Sequence, residues 1–379
     1  MQTSVGKTPS PGVYSPLEFL FAGLTAWPNG PFFGLHGALG PLLLGRLAAD
    51  SRVTLLLTSD EDRARQLHDE ARLWLGRHQA RAVLFLPDRR SVYDPTPVAS
   101  EIALARVAAL SLAASGGGIV IAPVRCALER FFQPKRRSGH SLKLQAGASC
   151  DRKYLLELLA ELGFERVNLV TEPGQFAVRG SLIDLFPADQ EFPVRLDFFG
   201  DDLDSIKIFS PETQRTIDAL KEFALRPSRE QMVTRADIAE ILARVDEARL
   251  QLDPMRSELL QRRAEHLQTH PDSRDLQELR PFLQPGEGYL WDHWPNPRLL
   301  LEQPDQCLEV LDNAWQEIQQ IHLNNADVTP LLAPEAYYHP AFAVRDELAR
   351  LEAQAFSRFQ GALSQGCRFH AEPVPAPSL

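Results

Sequence analysis

Short apolar runs alternate with longer stretches of helical period through the first third of the chain. Val53-Thr54-Leu55-Leu56-Leu57, Ala82-Val83-Leu84-Phe85-Leu86 and Gly118-Ile119-Val120-Ile121 are apolar on both faces, as strands of a parallel sheet covered on both sides are. Around them the spacing predicts helices over Leu17 to Leu24, Pro41 to Ala49, Glu61 to Leu75 and Ser100 to Ala113. Strand and helix in alternation give an α/β unit of the doubly wound type over residues 16–125. Residues 1–15, rich in Ser, Thr, Pro and Gly, read as a flexible lead-in.

The pattern changes after about Cys126. One helix, Lys153 to Leu162, is followed by four crowded strand candidates: Gln175 to Arg179, Ser181 to Phe186, Pro193 to Phe199 and Asp204 to Phe209. Arg-Gly, Pro-Ala-Asp and Gly-Asp-Asp turns separate them, and such short connections imply antiparallel pairing in an α+β domain over 126–226. From about 227 the chain turns helical, with an amphipathic stretch at Thr234 to His266. Strands at Gly288 to Trp291 and Arg298 to Leu301 and helices at Asp305 to Leu323 and Ala343 to Gln360 then resume the first grammar. The middle domain therefore reads as an insertion that splits one α/β unit into 16–125 and 227–360, with a Pro-rich tail at 361–379.

Composition narrows the function. At 379 residues, 44% of them hydrophobic and 24% charged, the chain is a multidomain globular protein. A net charge of −10 argues against a surface built mainly to grip phosphate, since nonspecific nucleic-acid affinity comes from Lys and Arg displacing counterions. Cys126, Cys150, Cys307 and Cys367 are far apart in sequence and signal neither a zinc site nor a disulfide framework. With no secretion signal and no apolar run of about 20 residues, a cytoplasmic protein is expected.

Phosphate chemistry is suggested and then withdrawn. Phe33-Gly34-Leu35-His36-Gly37-Ala38-Leu39-Gly40-Pro41 opens the α/β domain ahead of a helix, where a phosphate-cradling loop belongs. A working loop ends on a Lys for the phosphates and a hydroxyl for Mg²⁺. Here Gly40 and Pro41 stand in those places, and proline removes a backbone donor as well. The expectation is a degenerate loop, Gly34, Gly37, Gly40 and Pro41, that binds no cofactor. Gly6-Lys7-Thr8 lacks the preceding strand, and His266 and His270 at i, i+4 lack the glutamate of a metalloprotease helix. The run Lys135-Arg136-Arg137 is read as a solvated loop, with phosphate contact as the lesser alternative. No catalytic or metal-ligating constellation emerges.

The middle strands carry the clearest binding signal. If Val194, Leu196 and Phe198 face the core, Arg195, Asp197 and Phe199 lie on the opposite face. By the same alternation Phe176 and Val178 inward leave Arg179 outward, and Ile206 and Ile208 inward leave Lys207 and Phe209 outward. A sheet face carrying Arg and Phe has the composition of interface anchors. The alternative is that a helix such as Lys153 to Leu162 covers those phenylalanines.

Gly174-Gln175-Phe176-Ala177-Val178-Arg179-Gly180-Ser181-Leu182-Ile183-Asp184-Leu185-Phe186-Pro187-Ala188 and Val194-Arg195-Leu196-Asp197-Phe198-Phe199-Gly200-Asp201-Asp202-Leu203-Asp204-Ser205-Ile206 resemble two related families, the excision-repair protein UvrB and the transcription-repair coupling factors. Leu86-Pro87-Asp88, Tyr93-Asp94 and Ser210 through Gln214-Arg215-Thr216 fit the coupling factors better, as does the degenerate loop. The resemblance runs over roughly residues 16 to 350. It implies a degenerate P-loop domain of the RecA and helicase kind, split by an inserted α+β domain that binds UvrA, without catalysis of its own. It further implies a front module of a longer protein, whose C-terminal domain masks the UvrA surface and whose other domains engage RNA polymerase and DNA. On this resemblance Arg179 is the first candidate contact, with Arg166, Phe186 and Arg195 behind it.

Overall fold

The computed structural model describes residues 32–33, 35, 39–48, 51–73, 75, 82–89, 91–93, 99–112, 117–132, 141–230, 233–270, 275–283, 287–325, 332–357 and 367–368. The helix expected at Leu17 to Leu24, together with Gly34, Gly37, Gly6-Lys7-Thr8 and Lys135-Arg136-Arg137, lies outside them. Strand β1 (Phe32–Phe33) leads to helix α1 (Leu39–Leu47), and β2 (Val53–Thr58), α2 (Glu61–Leu73), β3 (Val83–Phe85), α3 (Ser100–Ser111), β4 (Gly118–Pro123) and β5 (Phe131–Phe132) follow. The middle stretch holds β6 (Leu142–Gln145), α4 (Arg152–Glu161), β7 (Glu165–Arg166), β8 (Gln175–Arg179), β9 (Leu182–Leu185), β10 (Val194–Phe199), β11 (Asp202–Phe209), β12 (Thr216–Leu220) and β13 (Glu222–Leu225). Then come α5 (Arg235–Arg249), α6 (Pro254–Thr269), α7 (Asp275–Leu279), β14 (Glu287–Gly288), β15 (Arg298–Glu302), α8 (Pro304–Asn325), α9 (Ala341–Arg350), β16 (Gln354–Phe356) and β17 (Cys367–Arg368).

The first sheet is parallel throughout and runs β17-β1-β16-β15-β2-β4-β3. β15, from the far side of the middle stretch, slots between β16 and β2 and pairs Leu299 with Leu55 and Leu300 with Leu56. Strands from both flanks thus share one sheet. Its two faces divide the apolar runs by the two-residue alternation of a strand. Leu55, Leu57, Val120 and Leu301 face a core closed by α3, α8 and α9. Leu56, Ile119, Ile121 and Leu300 face α1 and α2. Each such fully buried leucine contributes about 1.5 to 3 kcal/mol by leaving water. Gly118 is required at the start of β4, because at φ +129 a β-carbon would stand 2.6 Å from the carbonyl oxygen of Ala82. Cys126, Ala127, Leu128 and Phe131 pack into the same core, so the chain leaves this unit only beyond the position where its pattern begins to change.

The middle stretch forms a six-stranded sheet, β12-β11-β10-β9-β8-β7, antiparallel except for the β7–β8 pair. Gly180, at φ +59, makes the β8–β9 turn, a conformation in which a side chain is strained. One face packs on α4: Leu155 and Leu159 meet Phe176, Ile183, Leu185, Val194, Leu196 and Phe198. Helix α4 starts at Asp151, whose carboxylate accepts from the amides of Lys153 at 2.9 Å and Tyr154 at 3.0 Å, as an N-cap does.

Several elements differ from the sequence expectation. The stretch from Thr234 to His266 is two helices, α5 and α6, the second opened by the Asp253 cap with Pro254 at its first position. Instead of a strand at Gly288 to Trp291, two strand residues precede a tight turn over Leu290–His293, held by Asp292 accepting from the amide of Tyr289. The helix expected at Ala343 to Gln360 ends at Arg350. Glu352 then takes a left-handed φ of 53 and turns the chain into β16, beside β15.

Candidate partner-binding site

The outward face of the middle sheet is built from register. Ala177 pairs with Asp184, Asp184 with Arg195, Arg195 with Lys207 and Lys207 with Ala219. Residues paired this way stand in a row on one face. The next row joins Arg179, Leu182, Asp197 and Ser205. The core face therefore takes the alternate residues, as the sequence alternation requires.

Asp184 is the centre of this face. It is 1% exposed, and a buried carboxylate needs partners. Arg195 grips it as a fork, Nε donating to Oδ1 at 2.6 Å and Nη2 to Oδ2 at 3.0 Å, while Arg179 donates Nη2 to the same Oδ2. The Arg195 guanidinium also lies 4.4 Å over the ring of Phe209, a cation–π placement. Its Nη1 donates to the carbonyl of Gln214 at 3.4 Å, and Gln214 ties the loops together by donating Nε2 to the carbonyls of Val170 at 3.2 Å and Pro211 at 2.8 Å.

Arg179 differs from Arg195 in exposure. Its side chain is 41% exposed, and no second side-chain hydrogen bond from it is present among the described residues. A half-engaged guanidinium, oriented by one bond and open on the other side, can take a carboxylate from a partner in a bidentate pair. On the strands beyond it lie Asp197, which accepts from the hydroxyl of Ser181 at 3.3 Å, Lys207, 3.9 Å from Asp197, and Phe199, 84% exposed beside the Gly200 turn.

The four candidate residues are not all together. Arg179 and Arg195 share Asp184. Phe186 lies on the same face but is buried with Val170, Ala177 and Phe209 in a small second core. It anchors the loop and does not present itself. Arg166 is exposed at the sheet edge, yet it is the register partner of Phe176, whose side chain faces α4, so Arg166 stands on the other face from Arg179. Phe209 is outward as the alternation predicts, but the loop bearing Val170 covers it, not α4. The helix expected to cover these phenylalanines does not: Phe209 is closed over by the loop, and Phe199 at the other end is open. Asp184 and Gln214 were the residues missed. The signal for Asp184 was an acid alternating with apolar Ile183 and Leu185 opposite an Arg of the next strand.

A second polar cluster lies where β3 and β4 end. Asp88, Cys126 and Glu129 bring three potential ligand atoms within 4.8 Å of one another, but both carboxylates are held by cations, Asp88 by Arg125 at 3.2 Å and Glu129 by Arg106 at 2.6 Å. Burial pushes the Cys126 thiol up, away from the thiolate that binds metal. The same burial pushes Asp88 up to about 7, with Glu129 adding to the effect and Arg125 opposing it. Both carboxylates are committed to arginines and the thiol to the carbonyls of Leu86 and Pro87, which does not suit a cation.

In the phosphate-loop region, Gly40 and Pro41 lie in the first turn of α1, both buried. A β-carbon on Gly40 would rest 3.6 Å from the ring of Phe356. These two positions offer neither an ammonium nor a hydroxyl.

The chain is similar to known proteins over this sheet and on both sides of it. Residues 142–230 match the family described as UvrB interaction domain, the span that contains the whole six-stranded sheet. The chain is 30% identical over 304 residues to the transcription-repair-coupling factor of Myxococcus xanthus, covering 76% of this chain and 25% of that protein. It is 32% identical over 199 residues to that of Escherichia coli (strain K12), covering 52% of this chain and 17% of that protein. UvrABC system protein B of Methanosarcina mazei is 28% identical over 216 residues, 54% of this chain and 31% of that protein. The chain thus spans about a quarter or less of the length of these coupling factors. The chain therefore carries a UvrB interaction domain at residues 142–230 and is similar along about three quarters of its length to a transcription-repair-coupling factor.

Proposed function

We propose that this chain recruits UvrA to sites of transcription-coupled nucleotide excision repair, docking it on the outward face of the middle sheet. The observation that carries the reading is Arg179, held by buried Asp184 in the UvrB interaction domain with its side chain partly open to solvent. The module itself is non-catalytic. Its α/β unit is a degenerate P-loop domain of the RecA and helicase kind, split by the insert, in which Gly40 and Pro41 replace the lysine and hydroxyl that triphosphate hydrolysis needs. It takes no cofactor and works in the cytoplasm. In the intact protein a C-terminal domain masks the Arg179 face, and other domains engage RNA polymerase and DNA.

The test is a calorimetric titration of purified UvrA onto this chain, repeated with Arg179→Ala and, in parallel, with ATP in place of UvrA. Binding at about micromolar strength or tighter, weakened by about 2 to 5 kcal/mol in the variant, together with no heat from ATP, supports recruitment. ATP binding without UvrA binding points instead to an active UvrB-like component.

A further inference from the structure

The point just before the chain leaves the α/β unit and the point where it returns from the inserted unit converge on one buried side chain. Glu129 precedes the segment that leads into residues 142–230, and Glu230 is the last residue of that span. Arg106, on α3 of the α/β unit, is fully buried and donates to both. Its Nη1 and Nη2 reach the Glu129 carboxylate at 3.0 and 2.6 Å. Its Nε and Nη2 reach Glu230 at 2.8 and 3.1 Å, and Nη1 also donates to the carbonyl of Pro87 at 2.8 Å. A guanidinium has five N–H groups, and these five bonds match them.

We propose that Arg106 is a positioning residue: a clamp that holds the root of the incoming stem at Glu129, still within the α/β unit, and the outgoing stem at Glu230, and so fixes the insert against the α/β unit. Further contacts fit this role. Arg89, from the loop after β3, donates Nη2 to the same Glu230. A β-carbon on Gly174 would come within 3.2 Å of Leu104 on α3 and of Ser228 on the outgoing stem, so α3 is also a steric platform for the insert. The amide of Ser228 donates to the carbonyl of Leu162 at 2.8 Å, and that of Arg130 to Tyr337 at 3.0 Å, which ties each stem to the unit on its own side. Because one guanidinium serves both stems, they are mechanically coupled, and the orientation of the Arg179 face is set from within the α/β unit. The clamp stands on its own geometry, whichever partner the sheet face takes.

Hydrogen–deuterium exchange on the full chain tests it, using Glu129→Gln and Glu230→Gln, which keep side-chain shape and leave Arg106 in place. Each substitution is expected to speed exchange by about tenfold or more at both stems, read at Arg130 and Ser228, including the stem it does not touch. Protection in β2 and β10 should stay as in the parent chain, since local opening need not loosen a core. Loosening confined to the substituted stem, no change at either stem, or an even loss of protection throughout the chain would each overturn the clamp.

Discussion

Arg195 and Asp184 form a forked pair on the outward face of the middle sheet, two hydrogen bonds of 2.6 and 3.0 Å closed over a carboxylate that solvent barely reaches. Replacing Asp184 with Asn leaves Arg195 partly uncompensated and Arg179 without its anchor. Breaking a buried pair from one side typically costs about 3 to 5 kcal/mol. The expected loss of stability shows in urea unfolding of the chain, and a change under 1 kcal/mol would refute the central role given to Asp184.

Phe186→Ala separates anchoring from docking. The ring is buried with Val170, Ala177 and Phe209, so truncation opens a cavity that costs about 3 to 5 kcal/mol. The midpoint of thermal unfolding should fall. At temperatures where the variant stays folded, its affinity for UvrA should match that of the parent chain.

Arg166→Ala gives the opposite pattern. Arg166 is exposed on the edge strand and stands on the α4 side of the sheet, so stability should change by no more than about 0.5 kcal/mol. UvrA affinity measured beside Arg179→Ala should stay within about twofold of the parent. A large loss would mean that the partner wraps around the sheet edge.

Asp88 gives the chain a pH signature. Its folded value, about 7, lies above the ordinary 3.8, so between those values the folded chain holds a proton that the unfolded chain has released. Stability from this group is therefore present at low pH and falls as pH rises toward 7, with a slope of at most about 1.4 kcal/mol per pH unit. His339, lowered to about 4 chiefly by burial, works the other way: the unfolded chain takes up the proton first, so stability is lost as pH falls from 6.5 to about 4. The two oppose each other in that range, leaving Asp88 alone just above it. Denaturant midpoints for Asp88→Asn should be flatter than the parent's between pH 6 and 7.5.

Much of the fold was legible because the parallel strands are apolar on both faces and leave no ambiguity of period. Leu55, Leu56 and Leu57 declare β2, and Arg298 to Leu301 declares β15. What escaped was short and polar. Thr216-Ile217-Asp218-Ala219-Leu220 is an edge strand exposed almost throughout, with no buried face to impose a pattern. β16 was hidden because the turn at Glu352 depends on a left-handed residue that is not glycine. At the site, alternation put Arg179 and Arg195 on the right face but could not tell an open phenylalanine from a covered one. Phe199 and Phe209 differ only in the loop that reaches over the second.

The central place of β15 has a consequence for how the chain comes to its shape. During synthesis β2 and β4 appear well before Arg298 to Glu302, and until those residues arrive one edge of β2, a strand with every residue buried in the finished fold, is a bare ladder of amides and carbonyls. The insert needs only near neighbours and can form in that interval, whereas the parallel sheet waits on a pairing across more than two hundred residues, the slow kind of contact. An uncovered apolar edge invites other strands, so a chain halted between β13 and β15 is expected to hold a sound insert on an aggregating base.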